Sequence, residues 1–455
     1  MSAHDETASP PRRVWIETYG CQMNVADTEL MFGQLRGTGY EIAERLDEAD
    51  VILLNTCAVR EKAEERIYGR ASQLLRFKYT RPDLVLGITG CMAEHLKDRI
   101  IERAPYVDLV VGPDAYRRLP DLLDQVGGDH PVIDTRLDKN ETYEGLVASR
   151  GEGVSGWITI QRGCDKFCTF CIVPYTRGRE RGTPPREVLR QARELAAMGY
   201  REVTLLGQTV NSYRYEDVDF ADLLRAVSEV DGIDRIRYTS PYPVDFTPKL
   251  IETLAELDKV PNYLHLPVQS GCNDVLGRMK RGYTVEDFRT IVTDLRTAMP
   301  DIALSTDVIV GFPDETDEEY ERTVDLMKDI GFDFAFLFAY SEREGTFASK
   351  RIPDTVPQAV KKERLQRIIQ LQEASSAVRY GARVGTTVDV LVEGPSKRDP
   401  NHRFGKSGDF KTTVFPGVPG ADAGAMVTVE IESATSHSLF GRAVRVDGVP
   451  VSTEA

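Results

Sequence analysis

Three short runs of aliphatic and β-branched residues, VWIETYG, VILLNTC and LVLGITGC, recur at intervals of about 35 residues between residues 13 and 125. A polar, helix-compatible stretch follows each one. Strands that return only after such a crossover pair in parallel, so this segment is predicted to form an open parallel α/β domain over residues 13–128. A cysteine stands at the same point of every unit: Cys21, Cys57 and Cys91 each follow the strand. In an open parallel sheet the carboxyl ends of neighbouring strands share one edge, where ligands bind. Three thiols far apart in sequence are thus predicted to meet in space.

A second alternating series starts at WITIQRG and runs through EVTLLGQ, RIRYTS, YLHLPVQ, ALSTDVIVGF and FAFLFAY. Amphipathic stretches such as PPREVLRQARELAAMG separate them. Six βα units predict a partial or complete β/α barrel over residues 150–380, ending with a helix from about Gln358 to Tyr380. The polar, glycine-bearing stretch Pro131–Ser155 reads as a linker. Over residues 383–447, TVDVLVEG, KTTVFPG, MVTVEIESAT and GRAVRV alternate at period two between Gly/Pro turns, the pattern of a small β-barrel.

The 455 residues suffice for two or three domains, and 41% hydrophobic with 28% charged residues is an ordinary globular balance. No run reaches the roughly 18 apolar residues of a membrane span. The leading MSAHDETASPPR lacks the apolar core of a signal peptide, so the expected location is the cytoplasm. A net charge of −15 argues against a protein that coats nucleic acid nonspecifically, while leaving room for a local basic groove. In a reducing compartment, clustered cysteines more often bind metal or act catalytically than form disulfides.

The densest cluster is Cys164-Asp-Lys-Phe-Cys168-Thr-Phe-Cys171, on the loop after the first barrel strand. Three thiolates so close can hold three irons of a [4Fe–4S] cube and leave the fourth iron open. Zinc would want a fourth Cys or His, and none is in the local sequence. Electron-transfer clusters normally carry four protein ligands, so an open iron implies that something else binds there. The seventh cysteine, Cys272, reads as an inert thiol.

This spacing and position, with Phe167 and Phe170 inside the loop, resemble the radical S-adenosylmethionine (SAM) superfamily. The resemblance implies that SAM chelates the open iron and is cleaved reductively to a 5′-deoxyadenosyl radical. Over nearly its whole length the chain further resembles the methylthiotransferases, on the motifs GCQMN, NTCAVRE and ITGCMAE. That resemblance assigns Cys21, Cys57 and Cys91 to a second, auxiliary [4Fe–4S] cluster, whose attached sulfur one SAM methylates while another supplies the radical. It makes all six cysteines ligands and implies no further catalytic residue. YGCQMNVADTE and QRGCDKFCTFCIVPYTRGRE, with Gln22-Met23-Asn24 and Lys166-Phe167, resemble the branch that modifies C2 of N6-isopentenyladenosine beside the anticodon of tRNA. Threonylcarbamoyladenosine in tRNA and a ribosomal-protein aspartate are the alternative substrates. A non-catalytic iron–sulfur electron carrier is the alternative of another class. The expected partners are the tRNA anticodon loop and a reductant such as flavodoxin or ferredoxin; the expected state is a monomer without membrane attachment.

Several further residues carry expectations. Arg177, with Arg179 and Arg181, follows the cysteine loop and is a candidate contact to a phosphate or to the SAM carboxylate. Gly207 and Gln208 end the second barrel strand where related proteins contact the SAM amine, with Asn211 close by. Gln269, Ser270 and Asp307 end later strands, on the face where barrel active sites lie. His265 reads as a hydrogen-bonded core residue. The C-terminal barrel resembles the TRAM domain, an RNA-binding module, and there Lys397, Arg398, Arg403, Lys406 and Lys411, interleaved with Phe404 and Phe410, form a candidate RNA-binding stripe.

Overall fold

A computed structural model describes residues 10–58 and 61–451. Strands β1 (Arg13–Tyr19), β2 (Glu41–Ile42), β3 (Val51–Thr56), β4 (Val85–Gly90), β5 (Leu109–Val111) and β6 (Val132–Asp134) form one parallel sheet in the order β2-β1-β3-β4-β5-β6. The central strands β3 and β4 are buried at all six positions, which is why they read as unbroken apolar runs. Ile52, Leu54, Leu86 and Ile88 pack with Ala71 and Leu74 of helix α2 (Glu61–Thr80). Val51, Leu53 and Val85 pack with Met31 and Leu35 of helix α1 (Gln22–Gly37). The stretch from Pro131, expected to be a linker, instead supplies β6, because Val132 and Ile133 pair beside Leu109 and Val110.

The β/α segment contains six parallel strands as a partial barrel: β7 (Ser155–Thr159), β8 (Glu202–Leu206) and β9 (Arg235–Tyr238) in one sheet, and β10 (Tyr263–His265), β11 (Ala303–Val310) and β12 (Phe334–Ala339) in the other. The C-terminal strands β13 (Thr387–Pro395), β14 (His402–Ser407), β15 (Thr412–Pro416), β16 (Met426–Ala434) and β17 (Ser438–Val446) close into a barrel through the β15–β17 pairing. Val390, Val392, Phe415, Val427 and Leu439 fill it.

Packing groups the chain into two units. Residues through Gly151 form the first together with Arg162–Asp165 and Cys171–Arg181, which lie within the β/α segment in sequence. The rest forms the second, in which the small barrel packs on the partial barrel through the turn after β14. There Arg235 and Arg237 donate to the carbonyls of Lys406 (2.9 Å) and Ser407 (2.8 Å). Phe410, at φ +65°, stacks on Tyr263 with centroids 4.8 Å apart. Lys411 reaches Asp333 at 2.6 Å and Asp409 at 2.9 Å.

Candidate metal centres

Register explains how Cys21, Cys57 and Cys91 come together. Tyr19 stands beside Thr56, and Thr56 beside Gly90, so β1, β3 and β4 end level. Each cysteine follows within two residues of its strand's end, and neighbouring strands lie about 4.8 Å apart. The two intervening glycines permit the close approach. A Cβ at Gly20 would lie 2.9 Å from the Cys57 Cβ; one at Gly90, whose φ is +92°, would lie 2.5 Å from the Thr56 carbonyl. Asn24 ties the ends together. Its Oδ1 accepts the Cys21 amide at 3.3 Å, and its Nδ2 donates to Asn55 Oδ1 (3.2 Å) and the Thr56 carbonyl (3.3 Å). Cys21 is exposed, Cys57 half-buried and Cys91 buried.

Among the described residues, Cys272, Asp274 and Glu319 offer ligand atoms within 4.8 Å of one another. Guanidinium groups already serve that trio: Arg278 pairs with Glu319 at 2.7 Å and Arg322 with Asp274 at 3.8 Å. Cys272 itself is buried among Val275, Met279, Phe312 and Tyr340, as expected of an inert thiol.

Arg177 corrects an expectation. It is not open to a phosphate or to SAM: the residue is 2% exposed, and its Nε donates to Cys91 Sγ at 3.0 Å and its Nη2 to Asp27 at 2.6 Å. Burial pushes the Cys91 thiol up, opposed by the Arg177 charge. Arg177 Nη1 and Tyr116 Oη are buried without a hydrogen-bond partner among the described residues. Buried donors are normally paired, so these two, beside a thiol, fit a bound group rich in sulfur acceptors. Arg181 is likewise buried, on Asp114 (2.9 Å), whereas Arg179 pairs with Asp165 at the surface. Asp27 carried no signal in the sequence beyond its place in VADTE.

In the second loop, the Cys164 amide donates to the Gly178 carbonyl at 3.1 Å. Cys168 Sγ accepts from Arg281 Nη1 at 3.2 Å, and Arg281 is itself held by Tyr283 Oη at 3.0 Å. Nothing in the local sequence marked Arg281 for this place. Phe170 packs in the Cys272 cluster, while Phe167 is exposed at φ +49°.

Among the SAM candidates, Gly207 allows close approach: a Cβ there would lie 2.9 Å from Val210 Cα and 3.0 Å from Gln161 Oε1. That oxygen is buried without a hydrogen-bond partner among the described residues. Gln208 is half-buried. The Asn211 amide is taken up by the Tyr242 backbone. Gln269 is buried at φ +71°, and Ser270 is wholly buried with its hydroxyl 3.2 Å from Thr323. Asp307 is partly open and faces His265 Nε2 at 3.4 Å; His265 Nδ1 meets Ser305 at 2.9 Å, a hydrogen-bonded residue as expected.

The expected RNA stripe divides. Lys397 and Arg398 are exposed and, with His402, Phe404 and Phe440, line a cavity of ≈740 Å³. Arg403 is partly committed to the Ala421 carbonyl, and Lys406 to Thr412 Oγ1. Lys411, at 1% exposure, is withdrawn into its ion pairs and cannot meet a phosphate. Phe410 stacks within the protein.

Known proteins place these features. Residues 158–327 match the radical SAM superfamily, residues 13–112 the uncharacterized protein family UPF0004, and residues 381–444 the TRAM domain. The radical SAM methyltransferase TsrM from Kitasatospora setae shares the fold at TM-score 0.53 and 15% identity, covering 72% of this chain and 75% of that one. OxsB, a cobalamin-dependent SAM radical enzyme, does so at 0.52 and 14%, covering 79% and 56%. The class is therefore that of radical SAM proteins with an added α/β domain and a TRAM barrel. At 45% identity the chain aligns over 94% of its length, and 98% of the relative's, with a tRNA-2-methylthio-N(6)-dimethylallyladenosine synthase from Moorella thermoacetica. Synthases of the same name from Bordetella petrii and Phocaeicola vulgatus are each 44% identical over 96% of the chain, covering 92% and 97% of theirs. The chain belongs to the tRNA-2-methylthio-N(6)-dimethylallyladenosine synthase family.

Proposed function

We propose that the protein adds a methylthio group to C2 of N6-isopentenyladenosine beside the anticodon of tRNA, with Cys164, Cys168 and Cys171 holding one [4Fe–4S] cluster and Cys21, Cys57 and Cys91 a second. Membership of the synthase family supports the reaction. The observation that carries the auxiliary site is the level ending of β1, β3 and β4, each leading into a cysteine. When bound, the clusters and SAM supply the electron, the carbon radical and the methylthio group. An aromatic C–H has no acidic proton and no leaving group, so neither a general base nor a simple nucleophile opens it.

The work of the chain itself is to hold and orient. Each cysteine triad provides three ligands and leaves the fourth position for a non-protein group. Cys21 is exposed and Cys91 buried, so the auxiliary site is approached from the Cys21 side. The Gly207 backbone, Gln208, Gln269 and Asp307 are the SAM contacts of this reading, with Ser270 supporting the Gln269 turn. Lys397 and Arg398 grip tRNA phosphates, and Phe404 meets an unstacked base. A small reductant protein such as flavodoxin or ferredoxin supplies electrons, and the protein works as a monomer in the cytoplasm. Among the described residues no helix is long and apolar enough to cross a membrane.

The test is Cys21→Ala with anaerobic reconstitution. Wild type should hold about eight irons and the variant about four. The variant should still cleave SAM, yet form no methylthio-isopentenyladenosine by nucleoside mass spectrometry. Product formation by the variant would refute the auxiliary assignment. Unchanged product in tRNA from a deletion strain would refute the substrate.

A further inference from the structure

Arg177 and Asp27 lie 150 residues apart in sequence and meet in a buried ion pair at 2.6 Å. Asp27 is completely buried, and its other oxygen accepts from Tyr143 Oη at 3.3 Å, a hydroxyl also anchored to the Pro113 carbonyl at 2.9 Å. The Arg181 guanidinium holds the Arg177 carbonyl at 2.6 Å. So braced, the guanidinium sets Nε 3.0 Å from Cys91 Sγ and keeps Nη1 without a partner among the described residues. A pair this deep is costly unless its geometry is completed, and retention of one beside a ligand sulfur calls for a reason other than stability.

We infer that Arg177, oriented by Asp27, is the positioning residue that sets the reduction potential of the cluster on Cys21, Cys57 and Cys91, an inference that rests on the ligand assignment proposed above. Hydrogen bonds to ligand sulfurs and nearby positive charge stabilise the reduced cluster, which carries one more negative charge, and so raise its potential. Arginine suits the place because it stays protonated at every working pH. Asp27 aims the fork, a part that Asn in its place keeps through its own amide oxygen, with Nδ2 turned to the Tyr143 hydroxyl. It also cancels part of the charge that the cluster would feel, a part that Asn lacks. The two side chains therefore act on the potential in opposite directions.

That opposition gives the test. In full-length protein with Cys164, Cys168 and Cys171 changed to Ala, one cluster remains, and its midpoint is read by potentiometric titration of the reduced-state EPR signal. Arg177→Met should lower the reduced-to-oxidised ratio at fixed potential at least tenfold, ~59 mV for one electron. Asp27→Asn, which leaves the guanidinium uncompensated, should shift the midpoint upward. Iron is counted first. If the background protein holds no iron, the ligand assignment falls and the inference with it. If iron is present and neither variant moves the midpoint, or both move it the same way, the inference alone is overturned. Should Arg177→Met fail to load, Asp27→Asn decides: an upward shift supports the inference and an unmoved midpoint refutes it.

Discussion

Lys411→Met separates a folding role from RNA contact at a residue whose sequence context suggests the latter. The substitution keeps chain length and removes one ammonium that reaches Asp333 at 2.6 Å and Asp409 at 2.9 Å. Asp409 keeps Arg383 at 2.9 Å and the Ser407 hydroxyl, whereas the Asp333 carboxylate is left with the Leu304 amide at 3.0 Å. Breaking a buried pair costs about 3–5 kcal/mol, and the surviving partners of Asp409 put this case near 3. With a urea slope of about 3 kcal/mol/M for a large unit, the midpoint should fall by roughly 1 M. Burial acts against the ionised Asp409, yet Lys411 and Arg383 outweigh it and hold the carboxyl below its ordinary 3.8. That stabilisation is present above about pH 4 and fades as pH falls through the lowered value, so wild type and variant should converge in acid. The salt dependence of tRNA affinity should be unchanged, since no phosphate contact is lost. A midpoint shift under about 0.3 M, together with a salt slope reduced by about 0.7, would refute the buried-lock reading.

The converse holds for Lys397→Ala and Arg398→Ala: each should leave urea unfolding within about 0.5 kcal/mol and reduce the salt slope by about 0.7, measured by tRNA titration at several salt concentrations. Asn24→Ala should destabilise the first unit by about 1–3 kcal/mol, because Asn55 Oδ1 and the Cys21 amide lose their buried partner; chelator challenge should then strip its iron faster. Glu94 is 1% exposed, and burial, opposed by Lys97, pushes its carboxyl up to about 8 from 4.5. The folded iron-free protein thus holds a proton that the unfolded chain releases above pH 4.5, and stability falls as pH rises from there towards 8. Glu94→Gln removes that loss, and its thermal advantage should be small at pH 5 and grow to at most about 3 kcal/mol near pH 7.

Much of the site was legible because its signals are local. The 2.0 and 3.6 periodicities arise from neighbours along the chain, so strands, crossovers and the small barrel follow from letters a few places apart. Once parallel order is inferred, Cys21, Cys57 and Cys91 must share an edge, and the register bears this out. The Cys164–Cys171 spacing needs no fold at all. Desolvation is different, since whether a charged side chain meets water depends on segments far away in sequence. Arg177 looks like Arg179 in RGRERG, yet its partners Cys91 and Asp27 lie 86 and 150 residues off and bury it, while Arg179 stays at the surface. Lys411 looks like Lys397, yet Asp333, 78 residues away, draws it inside. The sequence by itself determined which residue types stand at the strand ends; only the tertiary structure decided which charges are buried against them, because burial is a property of contacts between distant segments and of the water those contacts exclude.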